Sequence, residues 1–243
     1  TLINSQEIVV ETYQVKGEKK HGTRKLFNNQ GKISQEEKYK NGFLTGTKKF
    51  YDAAGNIQLS EDYNYFPKEE RSLLHGKQKK YSNGVLISEI TYKKNNKEGA
   101  FKTYSPKGQL TEKGTYQENL KVGKYTTYDH EGKLNRKENY IVIGPKNKDE
   151  GVGNEKKEII NQPTRRSVLH GKCMYYTQGK LTKSVHYKEG VIDGLLTEYY
   201  FQPTHVLRLK EEYKDGKRHG KYERYRSNGN LEQKGVFYQE IEV

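Results

Sequence analysis

Eight times along this chain a glycine is followed, five residues later, by an aromatic: Gly22 and Phe27, Gly46 and Tyr51, Gly76 and Tyr81, Gly99 and Tyr104, Gly123 and Tyr128, Gly171 and Tyr176, Gly194 and Tyr199, Gly220 and Tyr225. A second glycine closes a short turn in seven copies, at Gly31, Gly55, Gly84, Gly108, Gly132, Gly179 and Gly229, and copy seven has FQPTHV there instead. An aliphatic sits two residues beyond that glycine, as in Ile57, Leu86 and Leu110, and another aromatic six further on, as in Tyr63, Tyr92 and Tyr116. The unit is G-x4-[YF]-x-x-x-G-x-[LI]-x5-[YF], with one residue fewer before the second glycine in copies three and six, and is about 23 residues long. A period of that length constrains the fold more than any single motif does, because it points to one supersecondary unit stacked many times.

The spacing predicts two short strands around a tight turn. Strand side chains alternate between faces, so Leu86, Ser88, Ile90 and Tyr92 share one face, and Ile87, Glu89 and Thr91 the other. A lone hairpin with so little to bury does not hold in water, whereas stacked hairpins align their aromatics into rows. Composition makes those rows necessary. Only 31% of the chain is hydrophobic and mean hydropathy is −1.15, yet there are 21 Tyr, 24 Gly and only 5 Pro. The expectation is therefore a thin core built from the Tyr rows themselves, including Tyr51, Tyr81, Tyr104, Tyr128, Tyr176 and Tyr225. Gly76, Gly171 and Gly220 are expected where the backbone needs positive φ or close approach.

At this level the residues are similar to a known family. The segment DGKRHGKYERYRSNGNL, residues 215–231, resembles the MORN repeat (membrane occupation and recognition nexus), and more closely its bacterial variant in proteins often labelled toxin–antitoxin antitoxin components. The resemblance runs from about Tyr13 to Phe237 and departs from the eukaryotic pattern in having no Trp. It implies an all-β fold: an elongated, twisted antiparallel sheet of about eight stacked hairpins, open like a solenoid, without a sandwich core. It also implies scaffolding or partner binding rather than catalysis.

The organisation expected is a single repeat domain over 1–243. Residues 1–21 are an incomplete leading repeat, with EIVVETY as its second strand, and 22–140 hold repeats one to five with a short insertion at 64–75. A long insertion fills 141–170, and repeats six to eight occupy 171–243. Both insertions re-enter register through Arg-Ser-x-Leu-His-Gly and are expected to emerge as loops on one edge of the sheet. Loops carry binding residues more often than scaffolds do, so Arg71, Lys146, Lys148, Lys156, Lys157, Arg165 and Arg166 are the candidate partner-binding residues. Each sheet end leaves a strand edge to be capped, charged or paired, with Glu240 and Glu242 as candidate blunting charges.

Other chemistry is not supported. Four of the seven His precede a repeat glycine (His21, His75, His170, His219), but they stand at least two repeats apart, too far to share a metal ion. They read as turn residues whose rings bond nearby backbone. Cys173 is the only cysteine, which excludes an intramolecular disulfide. No nucleophile motif or phosphate loop stands outside the period, so no cofactor and no enzymatic activity are expected. Net charge is +14 at a pI near 9.4, although acidic residues are interleaved throughout. The expectation is a protein partner in a larger bacterial complex. The alternatives are electrostatic binding to anionic lipid, a cell-envelope polymer or, with Tyr rows committed to the core, less readily nucleic acid; and an antitoxin-like neutraliser of a partner protein. No segment is long and apolar enough to be a transmembrane helix. Thr1 in place of Met, with scarce Cys, favours an extracytoplasmic processed chain, the cytoplasm being the alternative.

Overall fold

A computed structural model describes residues 1–3, 9–145, 164–201 and 205–242. They form two compact units, Thr1–Asn119 with repeats one to four and Leu120–Val243 with repeats five to eight. The described residues are almost entirely antiparallel strands; one short 3-10 turn, Pro67–Glu69, is the sole helical element among them.

In the first unit each repeat contributes the expected pair of strands: Gly22–Phe27 with Ile33–Lys40, Gly46–Tyr51 with Ile57–Phe66, Arg71–Ser82 with Val85–Lys93, and Asn96–Tyr104 with Leu110–Gln117. Val9–Thr12 pairs with the first of them, as a leading half-repeat should. In the second unit the pairs are Leu120–Tyr128 with Leu134–Ile143, Gly171–Thr177 with Lys180–Lys188, Val191–Tyr199 with Leu207–Lys214, and Lys217–Tyr225 with Leu231–Tyr238. Within each unit the sheet is open, since no described pairing joins its first strand to its last.

Between repeats the seven-residue connections are themselves hairpins. Asn41–Gly42, Lys94–Asn95, Glu189–Gly190 and Asp215–Gly216 all have positive φ at both positions, the mark of the type I′ turn that matches strand twist. At these places the chain meanders, with a tight turn on each side of the repeat hairpin. The repeat glycines take the conformation expected of them, with φ of +127° at Gly76, +73° at Gly171 and +88° at Gly220. At Gly76 close approach adds a second reason, because a Cβ there would lie 2.7 Å from that of Asp62.

Two expectations need correction. The described residues of both insertions extend the sheet as strands and do not leave it as loops. Residues 64–66 and 71–73 continue the strands of repeats two and three, closed by the turn at Pro67–Glu69. Likewise Ile141, Val142 and Ile143 pair with Val168, Ser167 and Arg166. Apolar residues on the arms, among them Phe66, Leu73, Ile141 and Val168, let the ladder extend, because each further pair satisfies backbone groups that a loop would leave to water.

The Tyr rows are not one core. Alternation from each repeat glycine puts its second and fourth followers on an inner face and its first, third and fifth on the outer face. The second-strand aromatic is inner: its ring meets the residue two after the glycine in Phe101 with Tyr116 (4.7 Å), Tyr125 with Tyr140 (5.8 Å) and Tyr222 with Phe237 (4.7 Å). The first-strand aromatic is outer: the Tyr225 hydroxyl donates to Glu223, and that of Tyr176 to the Met174 sulfur. None of Tyr51, Tyr81, Tyr104, Tyr128, Tyr176 and Tyr225 is fully buried.

The buried row runs instead through the residue two after each glycine and its cross-strand partner. In the second unit it reads Tyr125 opposite Glu138, Cys173 opposite Val185, Leu196 opposite Glu211, and Tyr222 opposite Gly235, nearly all of them buried. In the first unit the row ends with Ile90, Phe101 and Gly114 but begins with charge: Arg24 opposite Glu37, Lys48 opposite Glu61, then Gln78. Gly114 and Gly235 stand opposite the bulky Phe101 and Tyr222 and leave room for those rings on the inner face.

Candidate interaction surface

Arg71 is exposed at the end of the first protruding ladder, where it pairs with Phe66. Arg166 is exposed at the corresponding place in the second, opposite Ile143, and Arg165 beside it is half-buried. Lys146, Lys148, Lys156 and Lys157 lie outside the described residues. The first protrusion is fastened along its length and at its turn. Tyr65 stacks on Phe43 at 3.7 Å, Phe66 lies 5.3 Å from the His75 ring, and Lys94 sits 4.8 Å over Phe66 while bonding Glu69 at 2.7 Å. Leu73 and Leu74 are buried beneath. Its tip is polar: Lys68, Glu69, Glu70 and Arg71 are all exposed.

The four repeat histidines do not behave alike. His170 accepts a long bond from the Glu189 amide (3.4 Å), as expected of a turn residue. His75 and His219 instead lie against the rings of Phe66 and Tyr238, and the Nδ1 atoms of His21 and His75 are buried without a partner among the described residues. Among the described residues no group of three His, Cys, Asp or Glu could hold a metal ion. Cys173 is fully buried, and burial pushes its thiol up, away from the thiolate that a reactive cysteine needs.

The inner face carries a polar network that pattern reasoning missed. Glu37 is 4% exposed and accepts four bonds, from Arg24 (2.7 Å), Lys48 (2.9 Å), Gln35 (2.7 Å) and the Tyr39 hydroxyl (2.9 Å). Burial by itself would push the Glu37 carboxyl up, but the bonds from Arg24, Lys48 and Tyr39 outweigh it and hold it below the usual range. Arg24 also donates to Glu11 at 2.7 Å, which lowers that carboxyl as well. The Tyr–Glu bond recurs at Tyr63 with Glu61, Tyr140 with Glu138, and Tyr213 with Glu211, each pair two residues apart on one strand. Burial and the neighbouring carboxylate push Tyr63 up to about 12. The signal was present as E-x-Y, but only a known strand pairing shows that it faces inward.

The outer face of the first unit holds a second feature that the period concealed. The third residue after the repeat glycine is lysine in all four repeats there: Lys25, Lys49, Lys79 and Lys102. The corresponding residues of the second unit are Thr126, Met174, Thr197 and Glu223.

Five stretches of the chain match the MORN repeat variant: residues 20–41, 74–94, 97–118, 121–141 and 218–240. Repeats two, six and seven fall outside those stretches but fold into the same strand pairs. No curated protein matches the chain. One solved structure, "Crystal Structure of TcdB2-TccC3-TEV", aligns at 15% identity over 86% of this chain and 12% of its own, with a TM-score of 0.19. This chain thus spans a small part of that protein, and so slight a likeness carries no argument.

Proposed function

We propose that this array of MORN repeat variants is a non-enzymatic protein-binding scaffold or accessory subunit, engaging its partner through the ladders that protrude from the repeat edge. MORN repeats suggest a repeat-based binding scaffold. The observation that carries the finer reading is the first protrusion, residues 64–73. It is longer than the repeat requires, held rigid by Phe43, His75 and Lys94, and tipped with charge that includes Arg71. A rigid, pre-ordered projection loses little entropy on docking, and arginine is favoured at protein interfaces. Absence of catalysis is part of the proposal: every glycine of the period is used by the backbone, and the single thiol is buried.

The test is affinity capture with the full chain at about 0.15 M and then about 0.5 M salt, so that exposed-charge contacts are screened, beside Arg71→Glu and Arg166→Glu variants. A stoichiometric protein that survives the salt and is lost from the variants supports the proposal. Retention by both variants moves the contact off the protrusions. Recovery of only salt-labile polyanions replaces the scaffold with an electrostatic function.

A further inference from the structure

We infer that the outer face of the first unit is a seat for a single strand of nucleic acid. Each of its four repeats carries a Lys-x-aromatic pair there: Lys25 and Phe27, Lys49 and Tyr51, Lys79 and Tyr81, Lys102 and Tyr104. Residues two apart on a strand share a face, so every pair sets an ammonium beside a ring. None of these rings is fully buried, and none of them belongs to the inner core row.

The pairs form a file across the strands. The register runs Lys25 to Glu36, Glu36 to Lys49, Lys49 to Ser60, Ser60 to Lys79, Lys79 to Glu89 and Glu89 to Lys102. At ~4.8 Å per strand, one pair follows another every ~9.6 Å and the file is ~29 Å long. Lys25, Lys49 and Lys102 make no ion pair among the described residues. Glu89 is already engaged by Lys77 at 2.8 Å and Lys79 at 3.6 Å.

That arrangement selects the ligand chemistry. Cations alone would serve any polyanion, and rings alone would serve a sugar. A row of cations flanking a row of rings is what a single-stranded nucleic acid fits, phosphate beside base. Two nucleotides per repeat gives ~4.8 Å each, wider than the 3.4 Å step of a stacked strand, so bases are parted enough to lie on rings. The file would then cover about eight nucleotides, within the span of known single-strand sites. The second unit, with Thr, Met or Glu at the lysine position, lacks the seat.

The experiment is fluorescence anisotropy of the full chain with labelled dT12 and rU12, with inorganic polyphosphate as competitor. Three variant sets are compared, all checked by circular dichroism for an unchanged sheet. Lys25, Lys49, Lys79 and Lys102→Gln should weaken binding at least ~10-fold and reduce the salt slope by about 3, near the ~0.7 per phosphate of single strands. Tyr51, Tyr81 and Tyr104→Leu, which keeps apolar bulk, should weaken it at least ~10-fold with the slope unchanged. Lys124, Lys137, Lys172 and Lys221→Gln removes equal charge from the second unit and should change affinity less than ~3-fold. The dT12 and rU12 arms distinguish a DNA from an RNA ligand. Equal loss from both lysine sets, unaltered binding by the leucine set, or no binding at ~0.15 M salt would overturn the inference.

Discussion

Replacing Glu37 by alanine tests the claim that the first two repeats are held by a row of paired charges where later repeats are held by a largely apolar row that carries no cation. The carboxylate is 5% exposed and takes four donors, and its two cationic partners, Arg24 and Lys48, are 18% and 19% exposed. Removing one partner of a buried charge pair costs about 3–5 kcal/mol, because the other charge is left uncompensated. Here Arg24 keeps Glu11, and both cations retain some contact with water, so the lower end applies, about 3 kcal/mol. Stability in repeat arrays is local to a repeat and its neighbours. The loss should therefore appear in amide hydrogen exchange of residues 22–51 as roughly 150-fold faster opening, at ~1.36 kcal/mol per decade, with the second unit unchanged. Two comparisons sharpen the assay. Glu138→Ala loses the bond from the Tyr140 hydroxyl and should cost about 1 kcal/mol. Glu232→Ala breaks an exposed contact with Arg226 at 3.6 Å and should cost under ~0.5 kcal/mol. A Glu37→Ala protein within ~1 kcal/mol of the parent would refute the reasoning, since the row would then be decoration on a sheet stabilised elsewhere.

The same network has a pH signature. Glu37 and Glu11 are held below their ordinary values in the folded chain, so their contribution is complete above the unfolded carboxylate value of ~4.3 and is lost as pH falls through the folded values. Exchange in residues 22–51 should thus accelerate below about pH 4 before the second unit responds, and simultaneous opening would count against it. Gly235→Leu should destabilise the last repeat by about 1–3 kcal/mol through overpacking, because even a Cβ there would lie 2.7 Å from the Tyr222 ring; urea unfolding reads this directly. The Cys173 thiol should resist alkylation under native conditions and react once urea exposes it, and rapid native labelling would show that the inner row is not closed.

How far the sequence carried the fold can be judged at particular positions. Gly76, Gly171 and Gly220 were legible because positive φ is a property of the residue's own backbone, and one residue type meets that demand. The strand pairs were legible because turn glycines and aromatics keep a fixed spacing. The seven-residue connections were not: KNGFLTG and KDGKRHG carry the Asn-Gly and Asp-Gly of a type I′ turn, but their flanks look polar until both sides are seen to pair. The protrusion at 64–73 was hidden for a related reason. Departure from a period looks the same in sequence whether the extra residues pair or wander.

The candidate surfaces divide in the same way. Arg71 and Arg166 stood out as repeated letters in a repeated phrase, and both are exposed at the ends of the protruding ladders. The E-x-Y bonds and the Lys-x-aromatic file were equally present as letters, yet nothing local assigns them a face. A period of two tells which residues lie together but not which side is inner. That choice belongs to cross-strand pairing, where Phe101 meets Gly114, Tyr222 meets Gly235 and Arg24 meets Glu37. By itself the sequence determined the repeat, its turns and its lack of a conventional apolar core, because those follow from short-range backbone preference and composition. Only the tertiary structure decided that one aromatic row packs inward and the other faces outward, beside lysines in the first unit, because volume and charge complementarity exist only between strands that have already met.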